Sequence, residues 1–285
     1  MRILCLHGFG TNPEIMKHQM SPLLKHCDPN WEFHFLAGTV ECPPAPDIAT
    51  RFPGPYLCWD LDLYPKPNKA ALRRIHETLT KEGPFTFNGV FGFSQGASMV
   101  AACLLDQKTQ FPENPLPVQF GIFCSPVPFL ATDRAYIDSV YGTLTPENLA
   151  RLRSAKRDEI SLLPESVRAD ALMLLGSLAA TTRIHGRPPS HFFDRAAGET
   201  PCVLNPDLCM ARLDIPTLHV CSANDPASLR RSSVLAEGFC EGGLRRSFRH
   251  RDVHNLPRDA GEAREMVGVM VEMVEGVVKG GASRL

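Results

Sequence analysis

The first candidate for chemistry is a serine between two glycines. The segment Gly92-Phe93-Ser94-Gln95-Gly96 follows the predicted strand Asn88–Phe91 and opens the predicted helix Gln95–Asp106. A GxSxG pattern is common by chance, but between a strand and a helix it predicts a sharp turn that exposes the serine hydroxyl. The start of the helix also supplies N–H groups and the positive end of its dipole. We therefore predict that Ser94 is a nucleophile, rather than part of a turn that merely begins a helix.

A serine hydroxyl needs a base to remove its proton and an acid to orient that base. In a fold with this turn, the acid and then the histidine follow the serine along the chain. Asp225 comes shortly after the apolar run Leu218–Cys221, and His254 comes shortly after the more polar run Arg246–His250. Both positions are at carboxyl ends of strands, where parallel sheets place their sites. Ser94, Asp225 and His254 are thus predicted to form a catalytic triad.

Other acidic and histidine side chains are weaker candidates for the two roles. Asp214 precedes its strand and so belongs at the opposite end of the sheet, and Asp252 suits a solvated loop. His219 lies within an apolar strand, where a core histidine is expected, and His250 lies within a basic strand, where a structural or solvent-facing side chain is expected. Two further histidines, His185 and His191, fall in a long insertion, where a surface location is expected and contact with substrate is the alternative.

A glycine-bearing loop follows the first apolar run and reads His7-Gly8-Phe9-Gly10. Acyl transfer needs N–H donors around the carbonyl oxygen as that oxygen gains negative charge. We predict that the backbone amides of Phe9 and Gln95 form this oxyanion hole. His7 then shapes the loop rather than acting as a base. Because a His-Gly pair is common, the loop only supports the assignment.

The elements that position these residues are recognised by short, continuous apolar runs. Strands that are apolar on both faces predict a parallel sheet covered by helices on both sides. Strands are predicted over Ile3–Leu6, Trp31–Leu36, Val90–Phe93, Phe120–Cys124, Leu218–Cys221 and Arg246–His250, the last toward an edge. Helices are predicted over Glu14–Cys27, Asn68–Lys81, Gln95–Asp106 and Ala260–Val278. This alternation predicts the α/β class, with one domain over residues 1–285.

Two segments interrupt the alternation. Residues 43–67 hold seven prolines and cannot form long regular structure. Residues 127–213 contain helical patterns around Pro146–Ser154 and Pro164–Ala180, and an insertion of this size predicts a helical lid or cap. Aromatic side chains of the two segments are candidates to contact an apolar acyl group, with packing inside the segment as an equal alternative. These side chains are Phe52, Tyr56, Trp59, Phe129, Tyr136, Phe192 and Phe193.

Composition excludes several classes of protein. The chain has 30 basic and 31 acidic residues, which argues against nucleic acid or an anionic membrane as its main partner. Its 44% of hydrophobic residues suffices for a sizeable core. No apolar run is long enough to span a membrane, and the first run, Ile3–Leu6, is too short for a secretory signal. Ten cysteines without any CxxC pair predict reduced thiols, no zinc site and a cytoplasmic location.

Four stretches together resemble a serine hydrolase family known from fungi and other eukaryotes. They are His7-Gly8-Phe9, Gly92-Phe93-Ser94-Gln95-Gly96, Asp225 and His254-Asn255-Leu256-Pro257. The resemblance spans the chain from its first strand to its last helix. The family includes small cytosolic esterases and discrete thioesterases that release polyketides from their synthases. The resemblance implies an α/β-hydrolase fold, no cofactor, no metal, and hydrolysis of a small-molecule ester or acyl thioester in secondary metabolism.

Three functions stay open at this point. They are a thioesterase that acts on an acyl carrier protein domain of a synthase, a general cytosolic carboxylesterase, and a hydrolase-fold ligand-binding protein with little turnover. A basic cluster in the insertion, made of Arg151, Arg153, Lys156 and Arg157, is a candidate to dock an acidic carrier domain. A solvated helix face is the better explanation of such a cluster.

Overall fold

The computed structural model describes residues 1–83, 85–196 and 198–282. Its strands are β1 (Arg2–Leu6), β2 (Glu32–Leu36), β3 (Val40–Glu41), β4 (Leu57–Cys58), β5 (Gly89–Phe93), β6 (Phe120–Cys124), β7 (Thr217–Ser222) and β8 (Arg245–His250). Six of them form one sheet in the order β2-β1-β5-β6-β7-β8, in which every neighbouring pair is parallel. β3 and β4 form a separate antiparallel pair. The predicted α/β class is confirmed, and the polar strand β8 lies at an edge as expected.

Helices cover both faces of the sheet. They are α1 (Pro13–Gln19), α2 (Ser21–Leu24), α3 (Pro65–Thr80), α4 (Gln95–Gln110), α5 (Arg134–Tyr141), α6 (Pro146–Ser154), α7 (Arg157–Ser161), α8 (Glu165–His185), α9 (Pro189–Phe193), α10 (Ala227–Glu237) and α11 (Ala260–Ala282). Within β1, Leu4 packs with α3 and α4 on one face, whereas Ile3 packs with α1 and α11 on the other. The buried positions Ile3–Leu6 therefore all need apolar side chains, which is why this run shows no alternation.

The structure corrects one predicted helix and bears out the irregular proline-rich segment. The helix predicted over Glu14–Cys27 is divided into α1 and α2 at Met20. Pro22 lacks the N–H that a continuous helix would use, so it is tolerated only in the first turn of a new helix. Residues 43–64 contain only the short strand β4, and α3 begins at Pro65.

The insertion between β6 and β7 is helical and carries α5 to α9. Helix α6 has the predicted bounds, and α8 extends beyond its predicted end. Apolar side chains of the insertion form a hydrophobic cluster distinct from the two on the faces of the sheet, with Ile137, Leu152 and Leu174 among its buried members. In the part of the chain that the structure describes, no helix has the length and apolar character needed to cross a bilayer.

Candidate active site

Ser94 lies at the turn between β5 and α4. Its backbone has φ 52° and ψ −120°, a conformation that a non-glycine residue adopts only under strain. The flanking glycines are required by space, since a Cβ at Gly92 would overlap Ala97 and a Cβ at Gly96 would overlap the carbonyl of Leu6. The turn thus holds the serine above the carboxyl end of the sheet, the geometry expected of a nucleophile at this type of turn.

The histidine and the acid lie beside this serine. Oγ of Ser94 is 2.9 Å from Nε2 of His254, and Nδ1 of His254 is 3.5 Å from Oδ1 of Asp225. The first distance is that of a hydrogen bond, whereas the second is longer than one. Such contacts are often loose before substrate binds and tighten afterwards. The three predicted side chains therefore meet in the order that proton transfer from serine to histidine requires.

Asp225 is almost fully buried and is held by several donors. Its Oδ1 accepts from the backbone N–H of His254 at 2.7 Å, and its Oδ2 accepts from Oγ of Ser125 at 3.0 Å. Burial raises the pKa of Asp225, but the hydrogen bonds from His254 and Ser125 and the charge of His254 outweigh burial. The pKa of this carboxyl thus lies below its ordinary value, so Asp225 is an anion at neutral pH.

The loops that carry Asp225 and His254 are bonded to each other. The backbone N–H of Ala223 donates to the carbonyl of His250, and Nδ2 of Asn224 donates to the carbonyl of Arg251. These bonds extend the β7–β8 pairing beyond the ends of the strands. They hold the acid and the histidine at the same edge of the sheet.

His7 shapes the loop after β1. Its Nε2 accepts from the backbone N–H of Gly38 at 2.9 Å, so the proton is on Nδ1, which lies 2.8 Å from the carbonyl of Gly8. Burial lowers the pKa of His7 to about 4, with a smaller opposing effect of the Gly8 carbonyl. His7 is thus a neutral structural side chain with both ring nitrogens occupied.

Phe9 and Gln95 both line the cavity that contains Ser94 and His254. Among the described residues, neither backbone amide has a hydrogen-bond acceptor. Both ends of the Gln95 side-chain amide are bonded, since Oε1 accepts from the N–H of Trp59 and Nε2 donates to the carbonyl of Asp60. Nε1 of Trp59 in turn donates to the carbonyl of His7 at 2.8 Å. These bonds fix the two loops that carry the amides.

The cavity beside Ser94, called the Ser94 cavity below, has a volume of about 330 Å³. Its walls come from the loop after β1, the proline-rich segment, the insertion and the His254 loop. Most of the lining is apolar: Phe9, Ala45, Pro46, Leu61, Leu63, Val127, Pro128, Leu130, Leu174, Leu178, Phe192, Pro226, Leu229 and Val253. Its dimensions and lining suit an apolar acyl group.

Of the seven aromatic side chains considered for substrate contact, Phe192 lines the Ser94 cavity. The other six do not line it, and each has another packing role. In the proline-rich segment, Phe52 lies against His18, the hydroxyl of Tyr56 donates to the carbonyl of Phe52, and Nε1 of Trp59 donates to the carbonyl of His7. In the insertion, Phe129 stacks on Phe239, the hydroxyl of Tyr136 donates to the carbonyl of Val203, and Phe193 is buried. An aromatic residue type indicates burial but not which side the ring faces.

None of the alternative acids and bases with described side chains lines the Ser94 cavity. Asp214 pairs with Lys108, and Asp252 pairs with Arg258. His219 is buried, its Nε2 lies 3.1 Å from Oγ1 of Thr217, and burial lowers its pKa to about 4. His250 is also buried, which agrees with the structural alternative and not with the solvent-facing one. His191 lies near the hydroxyl of Tyr64. The side chain of His185 lies outside the described residues.

Two residues of the site were not singled out from the sequence. Ser125 directly follows β6, at the same edge of the sheet as Ser94, and this position was a usable signal. Asp60 lines the Ser94 cavity from the proline-rich segment, where no spacing pattern distinguishes it from other acidic residues.

The parallel sheet with helices on both faces and a strained serine at a strand–helix turn defines an α/β-hydrolase. The family model for "Serine hydrolase (FSH1)" matches residues 1–266, and the chain belongs to this family. The chain is 38% identical over 232 residues to the serine hydrolase cnsH of Penicillium expansum, and the aligned residues cover 81% of this chain and 94% of that protein. It is 32% identical over 267 residues to the esterase alnB of Emericella nidulans, covering 92% and 93% of the two chains. The chain is thus a serine hydrolase.

Solved structures are more distant in sequence. The monoacylglycerol lipase of Paleococcus ferrophilus is 14% identical, with a TM-score of 0.48 and coverage of 95% of this chain and 94% of that chain.

Proposed function

We propose that this serine hydrolase cleaves carboxylic esters and acyl thioesters through a triad of Ser94, His254 and Asp225. The observation that carries the proposal is the 2.9 Å contact between Oγ of Ser94 and Nε2 of His254 at a strained turn. The buried anion of Asp225 supports it, because that anion faces the far side of the imidazole.

In the proposed first half of the reaction, Nε2 of His254 takes the proton of Ser94 as Oγ bonds to the carbonyl carbon. The carbonyl oxygen becomes negative and accepts hydrogen bonds from the amides of Phe9 and Gln95. Asp225 stabilises the positively charged imidazole. When the tetrahedral intermediate collapses, His254 gives its proton to the leaving alcohol or thiol, and the acyl group stays on Ser94.

In the second half, a water molecule attacks the acyl-enzyme. His254 takes a proton from this water, and the same two amides stabilise the second tetrahedral intermediate. His254 then returns the proton to Oγ of Ser94, and the free acid leaves. Because the Ser94 cavity is mainly apolar, we expect an apolar acyl chain to lie there, with residues 127–213 acting as a lid over it.

The proposal also covers the leaving group of the substrate and the type of pathway in which the enzyme acts. On the basis of the family resemblance, we extend it to thioesters and to acyl products of secondary metabolism such as polyketides. The basic cluster in the insertion gives little support to a carrier-protein partner, since Arg151 is already paired with Glu147 and Glu159. A small-molecule ester or thioester is therefore the substrate class that we favour.

The test compares wild type, Ser94→Ala and the control Ser233→Ala. Ser233 is a buried serine whose hydroxyl donates to the carbonyl of Leu229 within α10. We expect Ser94→Ala to lose at least about a thousandfold of kcat on p-nitrophenyl esters and N-acetylcysteamine thioesters. We also expect it to lose labelling by a fluorophosphonate probe, whereas Ser233→Ala keeps both. Wild-type labelling without turnover would favour a ligand-binding protein, and equal turnover by Ser94→Ala would contradict the triad.

A further inference from the structure

Asp60 lines the Ser94 cavity and carries a buried carboxylate oxygen that has no partner in the described part of the chain. The residue is only 3% exposed, and its Oδ1 accepts from the backbone N–H of Asp62 at 2.9 Å. Its Oδ2 is buried and has no hydrogen-bond partner among the described residues. The mechanism proposed above gives this carboxyl no part in proton transfer. A buried carboxylate oxygen without a partner is unfavourable, so a group that fills this position with a donor gains binding energy.

A small recess of about 40 Å³ adjoins the Ser94 cavity at this point. The recess and the cavity share lining residues, among them Asp60 and Gln95. The recess is also lined by Asn68, another buried side chain, whose Oδ1 has no partner among the described residues. It has room for one hydroxyl, ammonium or water group and excludes a ring.

The other polar side chains around the recess are already paired. Ser98 donates to the carbonyl of Val127 at 2.8 Å, and the amide of Gln95 bonds Trp59 and Asp60. Two buried atoms of the lining without a partner in the residues described, Oδ2 of Asp60 and Oδ1 of Asn68, are both acceptors. The recess therefore favours a group that donates hydrogen bonds.

The charge of Asp60 strengthens this preference. Burial raises its pKa to about 6, with hydrogen bonds from the N–H groups of Asp62 and Leu63 opposing the rise. At neutral pH the carboxyl is thus mainly an anion, and hydrogen bonds to an ionised acceptor are stronger than neutral ones. The remaining walls of the Ser94 cavity are mainly apolar, so the donor must be carried on an otherwise apolar chain.

We propose that Asp60 binds a hydroxyl or ammonium group carried by the acyl chain of the substrate, so that this enzyme selects acyl chains with such a donor over plain alkyl chains. This inference rests on the proposed function, because it places the acyl chain in the Ser94 cavity while the carbonyl carbon is bonded to Ser94. Asp60 is then a specificity-determining residue. Sites built to bond a substrate hydroxyl discriminate strongly against analogues that lack it, because the buried partner is then left unpaired.

The experiment compares hexanoate with hexanoates that carry a single hydroxyl at carbon 3, 4, 5 or 6, and with 6-aminohexanoate, all as N-acetylcysteamine thioesters. We expect wild type to show kcat/KM at least about tenfold higher for one hydroxylated or aminated chain than for hexanoate. Asp60→Ala should remove that preference. Asp60→Asn should weaken it for a hydroxyl and more for an ammonium group, because an amide lacks the negative charge. The matched control is Asp62→Asn, whose carboxylate is partly exposed and paired with Arg187 outside the Ser94 cavity. It should keep the wild-type preference.

Several results would overturn the inference. One is a wild-type enzyme that cleaves the whole series at rates following chain length alone. Another is an Asp60→Ala variant whose kcat/KM falls by the same factor for every acyl thioester of the series. That result would mean that the recess holds only water. The wild-type series alone tests the preference even if Asp60→Ala does not fold. Fluorophosphonate labelling of wild type separates the two proposals. An enzyme that is labelled but shows no preference among the acyl chains contradicts only the role of Asp60. An enzyme that is neither labelled nor active contradicts the proposed function.

Discussion

Oγ of Ser125 donates a 3.0 Å hydrogen bond to Oδ2 of Asp225, and this leaves Oδ1 to face His254. The two residues come from neighbouring parallel strands, Ser125 from the end of β6 and Asp225 from the loop after β7. Ser125 is itself anchored, since its backbone N–H donates to the carbonyl of Val220 at 2.7 Å. The carboxylate is thus oriented by two hydrogen bonds, one from Ser125 to Oδ2 and one from the backbone N–H of His254 to Oδ1.

Replacement of Ser125 by alanine should therefore reduce catalysis without preventing binding. A hydrogen bond to an ionised group contributes about 1.5–3 kcal/mol, so we expect kcat to fall about tenfold or more. KM should stay within about twofold, because Ser125 does not line the Ser94 cavity. Steady-state kinetics on a p-nitrophenyl ester measure both values. The control Ser233→Ala should be unchanged, and a rise of KM at constant kcat would exclude a positioning role for Ser125.

Much of this architecture follows from local sequence. The apolar runs predict the central strands because each strand is buried on both faces, and the GxSxG segment predicts the turn because only glycine fits beside Ala97 and Leu6. The positions of Asp225 and His254 shortly after two predicted strands, one apolar and one more polar, predict that both reach the same edge of the sheet. Their separation from Ser94 in sequence is no obstacle, since parallel strands align their carboxyl ends.

Other features depend on tertiary packing that residue types do not report. Six of the seven aromatic candidates do not line the Ser94 cavity, because an aromatic ring can be buried by any apolar contact. Tyr136, for example, bonds the carbonyl of Val203 instead. The burial of Asp60 is another example. Nε2 of Gln95 donates to the backbone carbonyl of Asp60, a contact between residues far apart in sequence, and Oδ2 of Asp60 is left without a partner within the described residues.

Gly96 is expected to tolerate no side chain. A Cβ at this position would overlap the backbone carbonyls of Leu6 and His7, which cannot move without displacing β1. We expect Gly96→Ala to destabilise the fold by about 3 kcal/mol or more and to abolish ester hydrolysis. The matched control is Gly268→Ala on the exposed face of α11, where a Cβ meets no atom within 4 Å. That substitution should stabilise the protein by about 0.5–1 kcal/mol. Urea unfolding measures both changes. A Gly96→Ala variant as stable as wild type would contradict the close approach of α4 to β1.

The side chain of Gln95 should contribute to stability independently of its backbone amide. Gln95→Leu keeps a similar volume but leaves the N–H of Trp59 and the carbonyl of Asp60 without their partner. Each buried unpaired group is unfavourable by about 1–3 kcal/mol, so we expect a loss of at least about 2 kcal/mol in the free energy of unfolding. The exposed control Gln110→Leu, near the end of α4, should change stability by less than about 0.5 kcal/mol. If both variants had the wild-type free energy of unfolding, the hydrogen bonds of Gln95 with Trp59 and Asp60 would make no contribution to stability.

Acid should destabilise the fold through its buried histidines. The pKa of His7 is about 4 in the folded protein against 6.5 for an ordinary histidine, and His219 is lowered to about 4 in the same way. Between these pH values the unfolded chain binds protons that the folded chain does not, so stability rises with pH. The contribution of His7 is thus fully present above about pH 6.5 and is lost as the pH falls to about 4, with a total of roughly 3 kcal/mol.

His7→Asn should remove this part of the pH dependence. Although the variant is less stable at pH 7, because Gly38 loses its acceptor, its free energy of unfolding should fall less steeply with acid. The slope between pH 6.5 and 4.5 should be shallower than that of wild type by up to about 1.4 kcal/mol per pH unit. Urea unfolding of wild type and His7→Asn at a series of pH values measures the two slopes. A His7→Asn slope as steep as wild type would show that His7 takes up a proton in the folded protein, and the neutral tautomer assigned to the loop would then be wrong.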